Sequence, residues 1–317
     1  MSCPWEAESL LAAARDQDEF FRYCAGVAHE VLRRPDVPGG LDIRIVEMEL
    51  PLKKGVSSSA AVCILVAKAF NEVYGLNLFP HELMEISYLG ERLTGSQCGR
   101  MDQACIYGSV PVLLVFEKAK EVRIEPVFVE RDLYLFYVDL GGRKDTVAIL
   151  RDLNGAYLKN ERLQQALGVQ NEHIVRRAFQ MIQLARAEEL GLLMKEAQRL
   201  FDDQVGVHSP EQLSAPLLHQ VLSLPDIQPH IYGGKGVGSQ GDGTAQFVAR
   251  SDEDRRLAMN QIEAAFPGMR CFPLTISGRI GKPRSLDFEE KPSVPKRSVA
   301  RGRIKATVTS KKAGSSL

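Results

Sequence analysis

Three stretches of this chain carry residue types that could do chemistry together. The first is Pro51-Leu52-Lys53-Lys54-Gly55-Val56-Ser57-Ser58-Ser59-Ala60-Ala61. A glycine and three serines stand here between a strand-like run and a helix-like one. The first backbone N–H groups of a helix are unpaired and carry partial positive charge, so a turn of this kind can hold an anion. Serine hydroxyls can donate to phosphate oxygens or ligate a divalent cation. Ordinary N-capping is the plain alternative, because serine is also a preferred cap. The second stretch runs from Glu91 through Gly95-Ser96-Gln97-Cys98-Gly99-Arg100-Met101 to Asp102-Gln103. Its two carboxylates could converge, one holding a metal ion while the other receives a proton. Each taken singly also fits a solvated surface acid or a cap. The third stretch, Tyr232 to Gly243, holds six glycines in twelve residues. Repeated glycine lets backbone N–H groups approach a ligand closely; a surface loop is the alternative. The match of Gly236 to Gly241 to G-x-G-x-x-G lacks the following helix of a dinucleotide fold, since Thr244–Arg250 reads as a strand.

The elements that must position these residues follow from periodicity. Residues 7–34 read as one helix and 41–50 as a strand. Helices are expected over 60–74, with Cys63 in the core, and over 81–93. Strand-like runs follow at 110–116, 122–129 and 133–140, and the domain boundary is placed near residue 150. Beyond it come long helices over 171–201, a helix over 211–223, the glycine loop at 233–243, a strand at 244–250, a helix at 252–266 and a strand at 270–276. The expected domains are therefore 1–150 and 151–285, in an α+β arrangement, followed by a disordered tail over 286–317.

Composition bounds the function classes. A chain of 317 residues, 44% apolar and 25% charged, is long enough for two globular domains. Its net charge of zero hides an asymmetry. Residues 291–317 hold eight Lys or Arg and no acid, which leaves 32 basic against 40 acidic residues in the body. A body of that sign is a poor nucleic-acid binder, and a plain disordered tail is preferred over an RNA-binding one. Six cysteines without metal-ligand spacing fit reduced, cytoplasmic usage. Neither a signal peptide nor an apolar run of spanning length is present, so no membrane partner is expected.

Taken in order, the three stretches resemble the GHMP small-molecule kinases, over roughly residues 15–280. Pro51 to Ala61 is similar to the family's second motif. Lys235 to Thr244 is similar to its third, keeping Gly238, Gly241 and Gly243 and departing at Val237, Ser239, Gln240, Asp242 and Thr244. Cys98-Gly99-x-Met101-Asp102-Gln103 resembles the galactokinase and arabinokinase branch. The resemblance implies a two-domain architecture, S5-like then ferredoxin-like, with the active site between the domains. It implies ATP and Mg²⁺ as cofactors and a sugar hydroxyl as acceptor. Gly55, Val56, Ser57, Ser58, Ser59 and Ala60 would cradle the phosphates, and Ser59 and Glu91 would ligate Mg²⁺. Asp102 would orient or deprotonate the acceptor, and the cofactor-binding Gly238, Gly241 and Gly243 would close over the acceptor and the γ-phosphate. The family's first motif, a Gly-Arg-x-Asn-like segment, is not found, and the chain is expected to start downstream of it. Two readings stay open: an active sugar kinase, and an inactive sugar- or nucleotide-sensing paralogue. An exposed sheet edge, covered by a partner or by a preceding segment, is also expected. Arg100, apolar in most sugar kinases, could replace a lost cation near the phosphates; a surface arginine is the preferred reading.

Overall fold

The computed structural model describes residues 3–16, 21–45, 57–96, 98–108, 111–118, 121–142, 145–278 and 306–310. Contacts divide the chain into two compact units, Met1–Gly108 with Pro283–Leu317, and Ser109–Lys282. The division falls after Gly108, some distance before residue 150 where the sequence suggested it.

The first unit is mainly helical. Helices α1 (Ala7–Arg15) and α2 (Arg22–Leu32) occupy the stretch read as one helix. Helix α3 (Ser58–Tyr74) buries Val62, Cys63, Val66, Ala67 and Phe70, and ends where Gly75 turns left-handed at φ 60°. Phe70 stacks between Trp5 and Tyr74, with centroids 5.6 and 6.1 Å away. Helix α4 (Pro80–Leu93) opens on a proline, whose missing N–H costs nothing in a first turn. Glu82 accepts the Phe79 N–H at 2.9 Å, which fixes that start. Helices α2 and α4 touch backbone to backbone through Gly26 and Gly90: a Cβ on Gly26 would lie 2.2 Å from the Gly90 carbonyl oxygen. Strand β1 (Leu41–Ile45) pairs antiparallel with β8 (Ala306–Ser310), Leu41 opposite Ser310 and Ile45 opposite Ala306. This part of the basic tail is therefore a strand, contrary to the disorder expected over 286–317. Its Ala-Thr-Val-Thr-Ser run has the β-branched content that suits a pleated surface. Pairing with it also gives one edge of β1 a partner from within the chain.

In the second unit, β2 (Val112–Lys118) and β3 (Glu121–Pro126) form an antiparallel hairpin. A four-stranded antiparallel sheet has the order β5 (Ile231–Gly236), β6 (Thr244–Ala249), β4 (Leu133–Asp139), β7 (Arg270–Ile276). Strand β4, placed by the sequence before the domain boundary, is thus central to the second unit. Its partners lie more than 100 residues away, a pairing that local periodicity does not encode. Alternation along β4 splits the core in two. Phe136, stacked on Phe247 at 4.9 Å, faces Leu218, Ile227 and Ile262, whereas Leu133 and Leu135 face Leu190 and Met194. Helices cover both faces, α8 (Ala187–Gln204) against one and α10 (Pro216–Leu222) with α11 (Asp252–Ala265) against the other. The shorter α5 (Thr146–Tyr157), α6 (Glu161–Gln165), α7 (Asn171–Gln183) and α9 (Pro210–Leu213) complete the unit. Strands and helices are segregated rather than alternating, as the α+β expectation requires.

Candidate active site

Each expected group in the first unit sits at the end of an element. Ser57 precedes α3 with φ 56° and ψ 37°, a left-handed conformation uncommon for a residue with a Cβ. Its side chain makes no capping hydrogen bond, so the capping explanation of this serine is not realised. Ser58 and Ser59 form the first turn of α3 and are half-buried, and Ala60 behind them is fully buried. Gly55 and Val56 lie outside the described residues.

Glu91, near the end of α4, is 3% exposed. The Ser59 hydroxyl donates to its Oε1 at 2.7 Å, across 32 residues of sequence. Gln103 Nε2 donates to its Oε2 at 2.8 Å. Burial pushes the Glu91 carboxyl above its usual range, and the nearby Asp102 charge adds to this; hydrogen bonds from Ser59, Gln103 and the Cys98 thiol oppose it. Asp102 is half-buried and opens a 3-10 turn, Asp102–Tyr107. That turn is tied to α3 by Lys68, whose ammonium donates to the Ile106 carbonyl at 3.4 Å. Ser59, Glu91 and Asp102 are therefore brought together, and Gln103, not singled out from the sequence, joins them. The signal for Gln103 was its place beside Asp102 after a glycine turn, but nothing in its residue type announced a buried partner. Arg100 is engaged elsewhere. Its guanidinium donates to both Glu85 oxygens at 2.8 and 3.0 Å and lies over the Tyr88 ring at 4.1 Å.

Among the described residues no group of three or more His, Cys, Asp or Glu could hold a metal ion. The Ser59 hydroxyl and Glu91 carboxylate are instead a pair of hard oxygen donors. Such a pair fits Mg²⁺, which takes one or two protein oxygens and fills its octahedron with phosphate and water.

The glycine stretch belongs to the second unit and is only partly a loop. Gly233, Gly234 and Gly236 lie within β5, where lack of a side chain permits close packing. A Cβ on Gly233 would meet the Gly191 carbonyl oxygen of α8 at 2.1 Å. Only residues 237–243 form the turn between β5 and β6, with Gly238, Gln240 and Gly241 at φ 62°, 63° and 69°. The departures from the family pattern have local roles here. Gln240 is buried, and Asp242 Oδ1 accepts the Leu218 N–H at the start of α10 at 3.0 Å. Gly243 accepts the Leu140 N–H at 3.1 Å. The turn is pinned at three points, which argues against an unanchored surface loop. Asp242→Ala, which removes a helix cap, is expected to lower stability by about 0.5–2 kcal/mol in denaturant titration.

Lys235 precedes the turn. Its ammonium donates to the Gly236 carbonyl, and burial lowers its pKa from the ordinary 10.5. A lysine depressed in the folded state penalises folding at every pH below the folded pKa, and the penalty fades as pH rises toward 10.5. Lys235→Met should therefore raise the melting temperature at pH 7, by about 2–4 °C for each kcal/mol recovered. The gain should shrink on going to pH 10.5 and above, as thermal unfolding across that range will read directly.

Residues 22–109 match the family model described as the GHMP kinases N terminal domain. A galactokinase of Thermosipho africanus is 33% identical over 97 residues, covering 30% of this chain and 27% of the relative. A galactokinase of Chloroflexus aurantiacus is 24% identical over 299 residues, covering 84% and 76%. The crystal structure of Lactococcus lactis galactokinase complexed with galactose is similar in fold, with a TM-score of 0.63 at 16% identity, covering 83% of this chain and 76% of that one. Residues 22–109 are thus similar to the N-terminal domain of the GHMP kinases, and the chain is similar in its two-domain α+β fold to the galactokinase structure. The relatives that it matches in sequence are galactokinases, and no helix among the described residues is long and apolar enough to cross a membrane.

Proposed function

We propose that this chain is an ATP- and Mg²⁺-dependent kinase acting on a sugar hydroxyl in the cytoplasm. The observation that carries the reading is the hydrogen-bonded group of Ser59, Glu91 and Gln103 with Asp102 beside it. Phosphoryl transfer is mostly positioning and charge neutralisation, which amides, a cation and one carboxylate can supply. Gly55, Val56, Ser57, Ser58, Ser59 and Ala60 are assigned to the phosphates by their resemblance to the second family motif. Ser59 and Glu91 hold Mg²⁺, whose charge offsets that of the phosphate oxygens. Asp102 accepts the proton of the acceptor hydroxyl as the new O–P bond forms and the bond to ADP breaks. The amides of Gly238, Gly241 and Gly243 are assigned to the nucleotide by their resemblance to the third family motif.

Two features support the sugar over other acceptors: the Cys98-Gly99-x-Met101-Asp102-Gln103 pattern and the galactokinase relatives. ADP release measured over a panel of monosaccharides tests the proposal. Turnover with at least one of them is expected. Calorimetric binding of sugar and nucleotide without ADP release would instead make the protein a sensor.

A further inference from the structure

We infer that Gln103 is a positioning residue that fixes which oxygen of Glu91 is offered to the divalent cation; this rests on the proposed role of Glu91 as a metal ligand. Besides the Cys98 thiol, two groups donate to the carboxylate, from different elements and to different oxygens. Ser59 Oγ, at the start of α3, donates to Oε1, and Gln103 Nε2, in the 3-10 turn, donates to Oε2. An ionised carboxylate only accepts, so it selects the amide orientation in which Nε2 faces it. Gln103 is fully buried, and its own Oε1 has no hydrogen-bond partner among the described residues. A methionine would fill much the same space without that unpartnered acceptor. The donor end is therefore what the glutamine adds at this position.

The consequence is directional. With Oε2 held by Gln103, Oε1 beside the Ser59 hydroxyl is the oxygen available to a cation. Asp102 precedes Gln103 in the same 3-10 turn, and Lys68 holds that turn on α3. One short segment thus carries both the proton acceptor and the group that orients the metal ligand. Partners that orient a metal ligand typically contribute 10–100-fold to metal affinity.

The test is a titration of the full chain with Mn²⁺ in the presence of ADP, read by the paramagnetic resonance of the free ion. Gln103→Met and Gln103→Glu are both made, so that one remains if the other fails to fold. Both should weaken Mn²⁺ about 10–100-fold. Gln103→Met should also raise the Mg²⁺ needed for half-maximal turnover while excess Mg²⁺ restores kcat, which a merely structural loss would not allow. Wild-type Mn²⁺ affinity in either variant overturns the inference. Glu91→Gln in the same titration separates the two ideas. If Glu91→Gln binds Mn²⁺ as wild type does, or if wild type binds none, the metal role of Glu91 falls and the inference with it. If Glu91→Gln weakens Mn²⁺ and the Gln103 variants do not, only the inference falls.

Discussion

Asp102→Asn is expected to lower kcat by about 10²–10⁴, the range set by loss of a general base. Asparagine keeps the volume and the hydrogen-bonding reach of the side chain but cannot take up a proton at neutral pH. Each tenfold loss corresponds to about 1.4 kcal/mol of barrier, so the substitution should raise the barrier by about 3–5 kcal/mol. Folding should be little affected, because Asp102 is half-buried rather than part of the core. Nucleotide affinity should also persist, since Ser59 and Glu91 are untouched. Steady-state kinetics together with calorimetric ATP binding separates the two effects. A variant that turns over at the wild-type rate would remove Asp102 from the chemistry.

Gly26→Ala should be the most damaging single methyl addition in the first unit. The new Cβ would sit 2.2 Å from the Gly90 oxygen and 3.0 Å from its carbon, and both are backbone atoms that no rotamer change can move. Helices α2 and α4 would have to separate. Overpacking of this kind costs about 1–3 kcal/mol, against about 1 kcal/mol that alanine recovers through helix propensity. Because Gly90 directly precedes Glu91, the displacement would also move the carboxylate away from Ser59, so activity should fall further than stability alone explains. Gly155→Ala, in α5, is the control. Nothing lies within 4 Å of its Cβ, and the variant should be neutral or slightly stabilising. Denaturant titrations of the two variants check the contrast; equal midpoints would refute the close α2–α4 packing.

Much of the fold is legible in the sequence. The apolar spacing of Val62, Val66 and Phe70 located α3, and the run Arg270–Ile276 is a strand as read. Ser59 and Glu91 were joined through resemblance to a family, since 32 residues separate them and neither type demands the other. What was not legible depends on contacts distant in sequence. Strand β5 was hidden because Gly233, Gly234 and Gly236 have poor strand propensity, and only the facing Gly191 of α8 shows why they are glycines. Gly26 and Gly90 stood inside helical patterns as unexplained residues, a signal of close approach whose partner the sequence does not name. Strand β4 is placed before the domain boundary by the sequence for the same reason: its hydrogen bonds go to β6 and β7, far along the chain. Nothing in the type of Gln103 announces its role, which comes from total burial against a carboxylate.

The most direct test of the central claim is phosphorus NMR of the full chain incubated with ATP, Mg²⁺ and a set of monosaccharides. With one of the sugars, a phosphate monoester resonance should grow in step with ADP; it should be absent when that sugar, ATP or Mg²⁺ is left out, and should grow about 10²–10⁴-fold more slowly when Asp102→Asn replaces the wild type. Loss of ATP to inorganic phosphate alone, or a monoester formed equally well by Asp102→Asn, would contradict the account.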